Sequence, residues 1–313
     1  MALRIVFCGT PEFAVPSLRH LIAQADFHVE RVVAQPDRPR GRGQKTSALP
    51  VKDAALGAGI AVYQPEKIRS ESAYDFFKKA APDVVVIIAY GQIIPPRLIE
   101  IPRLGWINLH ASLLPKYRGA APINWAIVNG ETHTGLTTMQ IDAGLDTGPM
   151  LLKYETKIGP DETAPELSAR LAEAGAPLVA ETLRKLDRGE ITPTPQDNSQ
   201  ATLAPMLKKE DGRVDWELSA WKIYNRIRGL QPWPGAFTTF RHKTCQIWGK
   251  PVPEAYAGGS VGIIFPDADS MVVICGQGTV LRVEHVQMEG RNRLAAADFL
   301  RGARLKPGER FGE

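Results

Sequence analysis

Three patterns along the chain predict an α/β fold, Rossmann-like in its larger first part, with a smaller antiparallel β-barrel behind it. The opening Arg4-Ile5-Val6-Phe7-Cys8-Gly9 reads as a buried strand that turns through Thr10-Pro11 into a helix, the usual start of a doubly wound, mostly parallel sheet. Asp83 to Tyr90 is β-branched without alternation, as parallel strands buried on both faces are. Beyond residue 200, short alternating runs are broken by Gly, Pro and Asp, the pattern of a small OB-like barrel.

At 313 residues the chain is long enough for two ordinary domains. Its 44% hydrophobic and 23% charged content is that of a soluble globular protein. A net charge of +4 is only mildly basic, so contact with nucleic acid has to come from local patches. The three cysteines are widely spaced and odd in number, which points to a reducing cytoplasm and away from a disulfide framework or a zinc site. The apolar start is too short for a signal peptide, and no run of about eighteen apolar residues suggests a membrane span.

The first helix is expected over residues 12–24, with Pro11 at a position where a missing N–H costs nothing. Gly9 is not followed by the remaining glycines of a dinucleotide fingerprint. It is either a tight strand-to-helix turn or a helix N-terminus facing a ligand cleft, and both readings stay open. A second strand over 28–34 runs into a loop, residues 35–45, holding Arg38, Arg40, Arg42 and Lys45 among prolines and glycines. By composition alone this is a solvated loop; arginine forks that bind phosphate are the other reading. Helix 50–58, strand 61–64 and helix 70–80 lead to the strand ending at Tyr90. There Tyr90-Gly91-Gln92-Ile93 is suited to walling a flat heteroaromatic ligand.

Ile107 to Gly119 organises the rest. Residues i and i+2 of a strand point the same way, so Asn108 and His110 project together where a buried strand ends. Ser112-Leu113-Leu114-Pro115 then forms a loop shaping the ligand cleft. The loop Gln140 to Gly148, between strands over 134–141 and 150–158, brings Asp146 back towards His110. An amide, an imidazole and a carboxylate make a proton-handling set. A metal site lacks ligand spacing, since no HxH or CxxC is present and Asn is a poor transition-metal ligand. A serine hydrolase lacks its G-x-S-x-G elbow. Leu167, Leu171, Ala174, Leu178 and Leu186 recur at helical spacing over 166–188 and read as core.

Composition places a first domain over 1–189, a Pro/Thr-rich linker over 190–207, and the barrel over 208–313, including a helix over 219–230. Lys208, Lys209, Arg226, Arg228, Arg291, Arg293, Arg301 and Arg304 form one basic face or are ordinary solvated cations; spacing does not decide.

Asn108-x-His110-x-Ser112-Leu113-Leu114-Pro115-x-x-x-Gly119 with Asp142-x-Gly144-x-Asp146-x-Gly148 resembles the signature of formyltransferases that use 10-formyltetrahydrofolate. The opening Gly9-Thr10-Pro11-Glu12-Phe13, the loop Gln35 to Gly43, Arg118 to Ile123, Arg213 to Trp216 and Pro232 to Ala236 resemble the branch acting on methionyl initiator tRNA. The resemblance runs nearly the whole chain. It implies formyl transfer to the methionine α-amine, with Asn108 donating to the oxyanion, His110 moving the proton and Asp146 orienting His110. It implies a folate site at Tyr90, Gly91, Ile93, Ser112–Pro115 and Asp142. It also implies tRNA contacts at Arg40, Arg42, Lys208 and Lys209, a monomeric cytoplasmic enzyme, and no metal. A formyltransferase for a small amine, such as an amino sugar nucleotide, shares the catalytic string; a non-enzymatic RNA-binding module leaves that string unexplained.

Overall fold

A computed structural model describes residues 2–40, 45–46, 49–253, 259–267 and 270–313. It resolves into two compact units. The first comprises Met1–Pro122, His133–Lys157 and Ser168–Ala204; the second comprises Ile123–Thr132, Ile158–Leu167 and Pro205–Glu313.

In the first unit, β1 (Leu3–Gly9) leads through a 3-10 turn, Glu12–Ala14, into α1 (Val15–Ile22). The expected helix thus starts late, because Pro16 has no N–H to return to the carbonyl of residue 12. Next come β2 (Phe27–Val33), the two-residue strands β3 (Pro39–Arg40) and β4 (Lys45–Thr46), α2 (Pro50–Gly57), β5 (Val62–Tyr63) and α3 (Glu71–Ala80). β6 (Val84–Ile88), the short α4 (Pro96–Ile99) and β7 (Trp106–His110) complete the parallel part. After α5 (Pro122–Val128), which lies in the second unit from residue 123, β8 (His133–Gln140) and β9 (Met150–Lys157) run antiparallel, and α6 (Ala164–Asp187), in the first unit from residue 168, closes the series.

The strand order is β5-β2-β1-β6-β7-β8-β9, with parallel pairing from β5 through β7. The order reverses between β1 and β6, and ligands of open α/β sheets bind beyond the carboxyl ends of the strands at such a point. All five residues of β6 are buried, as its unbroken β-branched run requires. Gly9 ends β1 against β6: a Cβ there would lie 2.9 Å from the Phe7 ring and 3.1 Å from the Ile88 carbonyl. The tight-turn reading therefore accounts for Gly9 on steric grounds. Along α6, Leu167, Leu171, Leu178, Val179 and Leu183 are buried, whereas Ala174 and Leu186 are only partly so.

The Pro/Thr-rich stretch expected over 190–207 as a semi-extended linker is bonded into the first unit through residue 204. Thr194 exchanges backbone hydrogen bonds with Met150, each 2.8 Å, and Ala204 donates to the Arg118 carbonyl at 2.7 Å. Its prolines favour an extended chain, and an extended chain pairs with whatever edge it meets.

The second unit holds α7 (Ala220–Gly229), β10 (Phe237–Phe240), β11 (Lys243–Val252), β12 (Ile264–Asp267), β13 (Ser270–Ile274), β14 (Val280–Met288), β15 (Leu294–Ala295) and α8 (Ala296–Ala303). Its six-stranded antiparallel sheet follows the order β10-β11-β14-β13-β12, with β15 on β14. Trp216 stacks on Phe311 at 5.6 Å, and Phe240 meets Phe299 and Phe311 edge-on. Ile158–Leu167 belongs here because buried Arg228 donates to the Gly159 and Glu162 carbonyls at 3.2 and 3.0 Å. Asn124 likewise donates to the Gly229 carbonyl at 2.7 Å. No helix among the described residues is long and apolar enough to cross a membrane.

Arg241 forks onto Glu309 at 2.7 and 2.9 Å, and the Lys306 N–H also donates to that carboxylate. Together they hold the Glu309 carboxyl at about 2, below its ordinary 4.5. A depressed carboxyl contributes stability above its unfolded value, and loses it as pH falls through the folded one. The melting temperature of Glu309→Gln should therefore lie below wild type at neutral pH, and the gap should close between pH 4.5 and 2.

Candidate active site

β7 delivers Asn108 and His110 to its carboxyl end. Asn108 is flanked by Ile87 of β6 and Met139 of β8, and His110 pairs with Thr137. His110 is only 6% exposed, so the hydrogen-bearing ring nitrogen needs an acceptor. Nε2 lies 2.9 Å from the Tyr117 carbonyl. A carbonyl only accepts, so Nε2 carries the hydrogen and the neutral ring keeps its lone pair on Nδ1. Nδ1 faces Asp146 Oδ2 at 3.6 Å. The same oxygen accepts the Gly119 N–H at 2.9 Å, which aims the carboxylate at the imidazole. Gly119 has φ +123, and a Cβ there would lie 2.6 Å from the Ala204 carbonyl.

Asn108 shares the His110 side of β7 and is half-buried; its carboxamide has no hydrogen-bond partner among the described residues, so its N–H groups are available. The structure thus brings His110 and Asp146 into direct apposition and sets Asn108 one strand repeat away.

The loop after β7 is built from its neighbour strand. The buried Thr137 hydroxyl donates to the Ser112 carbonyl at 2.7 Å and accepts from the Leu114 N–H at 3.1 Å. Ser112 Oγ donates to the Lys116 carbonyl at 2.6 Å and closes the loop. Leu114 is buried, Leu113 and Pro115 partly so, and Lys153 Nζ donates to the Leu114 carbonyl at 2.7 Å. Asp142 likewise folds its own loop, accepting from Gly144 N at 3.0 Å and Thr147 Oγ1 at 2.8 Å. Both are loop-formers that a residue string cannot distinguish from ligand contacts.

Around the β6 end, the Tyr90 side chain is sealed among Val6, Cys8, Phe77 and Trp106 instead of forming a wall. Burial pushes its phenol well above the usual tyrosine range. The Tyr90 carbonyl accepts from Gln35 Nε2 at 2.9 Å, and Gln92 in turn donates to Gln35 Oε1 at 3.2 Å. Gln35 N also donates to Thr10 Oγ1 at 3.3 Å, so this amide relay links the chain beyond β1, β2 and β6. Exposed at this end stand Gly91 and Ile93, the latter 85% exposed. An aromatic next to a strand end looks the same in sequence whether it turns inward or outward.

The Arg40 backbone lies in β3, and Arg42 falls outside the described residues. Lys208 and Lys209 are exposed in the second unit. The eight C-terminal cations do not act as one free set: Arg228 is buried, Arg301 pairs with Asp298, and Arg293 sits over the Trp248 ring at 4.2 Å. Among the described residues no group of three or more His, Cys, Asp or Glu could hold a metal. Sequence reasoning missed Thr137 and the Tyr117 carbonyl, for which no side-chain pattern exists. It also gave Arg118 no role, although Arg-Gly directly after the cleft loop was a signal.

Replacing the Thr137 hydroxyl by a methyl strands two buried backbone groups. Thr137→Val should cost roughly 1–3 kcal/mol per group in denaturant unfolding.

Residues 3–183 match the formyl transferase family and residues 206–304 match the formyl transferase C-terminal domain family. A methionyl-tRNA formyltransferase of Solibacter usitatus is 54% identical over 99% of each chain, and one of Acidobacterium capsulatum is 51% identical over 99% of this chain and 100% of that one. Among solved structures, a sugar 3N-formyl transferase superposes with a TM-score of 0.69 at 18% identity, covering 93% of this chain and all of that one. HypX from Aquifex aeolicus in complex with tetrahydrofolic acid superposes with a TM-score of 0.60 at 17% identity, covering 96% of this chain and 47% of that one. The chain belongs to the formyltransferase family and, within it, to the methionyl-tRNA formyltransferases.

Proposed function

We propose that this chain moves the formyl group of 10-formyltetrahydrofolate to the α-amino group of methionine on initiator tRNA, giving N-formylmethionyl-tRNA. The observation that carries the reading is the His110–Asp146 pair at the carboxyl end of β7, 3.6 Å apart and beside an uncommitted Asn108 amide.

The amine attacks the formyl carbon, a C–N bond forms and the carbonyl oxygen becomes an oxyanion. Asn108 donates an N–H to that oxygen, an effect worth about 100- to 1,000-fold per donor in other enzymes. His110 Nδ1 takes the proton the nitrogen sheds. The imidazolium then has both hydrogens accepted, one by the Tyr117 carbonyl and one by Asp146. In this reading Tyr117 fixes the tautomer, and Asp146 stabilises the charged ring. As the C–N10 bond breaks, the proton passes to the departing folate nitrogen, so no covalent enzyme intermediate is needed. The folate is held at the strand ends by Gly91, Ile93 and the backbone of Tyr90, in a cleft whose loops Ser112–Pro115 and Asp142 keep in shape.

The exposed Lys208 and Lys209, with Arg40 and Arg42, are read as phosphate contacts to tRNA, and composition fits this because Arg and Lys bind phosphate. The tRNA-binding part is read as the residues after 204 together with 123–132 and 158–167 of the same unit. One chain carries every residue invoked, so the reading is of a monomer, acting in the cytoplasm where charged tRNA is used.

Full-length protein with 10-formyltetrahydrofolate and charged initiator tRNA tests this. His110→Ala and Asn108→Ala should each lower kcat roughly 100-fold or more while the protein stays folded; a His110 variant at wild-type rate would remove its role. Arg42→Ala should raise KM for Met-tRNA while folate binding stays unchanged; an unaltered KM counts against the loop as a tRNA contact.

A further inference from the structure

Gln196 sits in the Pro/Thr-rich stretch that sequence reasoning assigned to a linker. Its Oε1 accepts from Arg118 Nε at 2.9 Å and from Arg118 Nη2 at 2.7 Å. Its Nε2 donates to the Asp146 carbonyl at 2.8 Å and the Gly148 carbonyl at 2.7 Å. Chemistry fixes which end is which, because a guanidinium only donates and a carbonyl only accepts. No other side-chain type offers an acceptor on one side and two donors on the other at this length.

The two loops it joins are those that hold His110. Arg118 lies between Tyr117, whose carbonyl takes His110 Nε2, and Gly119, whose N–H aims Asp146. Asp146 has φ +51, a left-handed conformation that a non-glycine residue keeps only when its surroundings impose it. The Gln196 bond to the Asp146 carbonyl is one such constraint, on the residue whose carboxylate faces the imidazole. Arg118 itself is 7% exposed, and its guanidinium is bound by the Gln196 and Asn198 amides, with no carboxylate among the described residues.

We propose that Gln196 is a positioning residue for formyl transfer: its side chain locks the Arg118 turn and the Asp146 loop into the register that sets Asp146 against His110. This rests on the catalytic reading of His110 and Asp146 given above.

The buried Arg118 makes the role separable from stability. Gln196→Glu keeps the acceptor for Arg118 and gives it a counter-charge, but faces the Asp146 and Gly148 carbonyls with an acceptor. Gln196→Met removes both sets of bonds at similar length. The full-length chain is assayed for kcat and KM in formylation of Met-tRNA, for folate binding and for thermal unfolding. His110→Ala serves as a negative control; Gln200→Ala, whose amide only bonds Asp197 in its own turn, serves as a neutral one.

Gln196→Glu should melt at or above the wild-type temperature, bind folate normally, and lose roughly 10- to 100-fold in kcat, the scale of a small misplacement. Gln196→Met should lower kcat in the same range while KM for 10-formyltetrahydrofolate stays at its wild-type value, because the change displaces Asp146 from Nδ1 without touching the folate cleft. Wild-type kcat in Gln196→Glu, or a Gln196→Met change confined to KM, overturns the proposal while His110→Ala stays inactive. Wild-type activity in His110→Ala overturns the catalytic reading, and this inference with it.

Discussion

The imidazole of His110 is held by one short turn. Tyr117 accepts from one ring nitrogen, and Gly119, two residues on, aims the carboxylate that faces the other. The ring is only 6% exposed, so its Nε2–H depends on the Tyr117 carbonyl, because an unsatisfied donor at that depth is costly. Everything around the turn serves that constraint. Thr202 takes the Tyr117 N–H on its hydroxyl and the Arg118 N–H on its carbonyl, each at 2.8 Å. The positive φ of Gly119 lets the backbone pass close to Ala204.

The division of labour follows from the order of the strands. Parallel strands buried on both faces make a stiff platform, and their carboxyl ends present loops on one edge. The switch to antiparallel pairing at β8 places Thr137 beside His110 and lets a single hydroxyl shape the loop that follows β7. Catalytic groups borne on strand ends are better fixed than groups on free loops, and the loops here are pinned by amide and hydroxyl side chains.

Much of this was legible in the residue order. The β-branched run of β6, the i,i+2 placement of Asn108 and His110, and the return of Asp146 through a glycine-rich loop each follow from local periodicity or turn chemistry. What escaped were facts carried by long-range backbone bonds. Nothing in the spelling of Pro-Thr-Pro-Gln reveals that Thr194 pairs with Met150 or that Gln196 reaches Asp146. The inward turn of Tyr90 was equally hidden, since the choice depends on whether Val6, Phe77 and Trp106 leave room for a ring. Arg228 was counted with the surface cations because arginine is rarely buried. Its desolvated guanidinium, with pKa lowered by burial, instead grips the 159–162 turn.

The interleaving of the two units has a consequence for recombining such proteins. The chain passes between the units after residues 122, 132, 157, 167 and 204, so no single splice site separates one from the other. A graft of residues 205–313 alone onto a relative would arrive without its own 123–132 and 158–167, leaving Arg228 to meet a foreign turn in place of the 159–162 carbonyls and Gly229 a foreign side chain in place of Asn124. Chimaeras that exchange three segments together keep those native neighbours; those that exchange the tail alone do not.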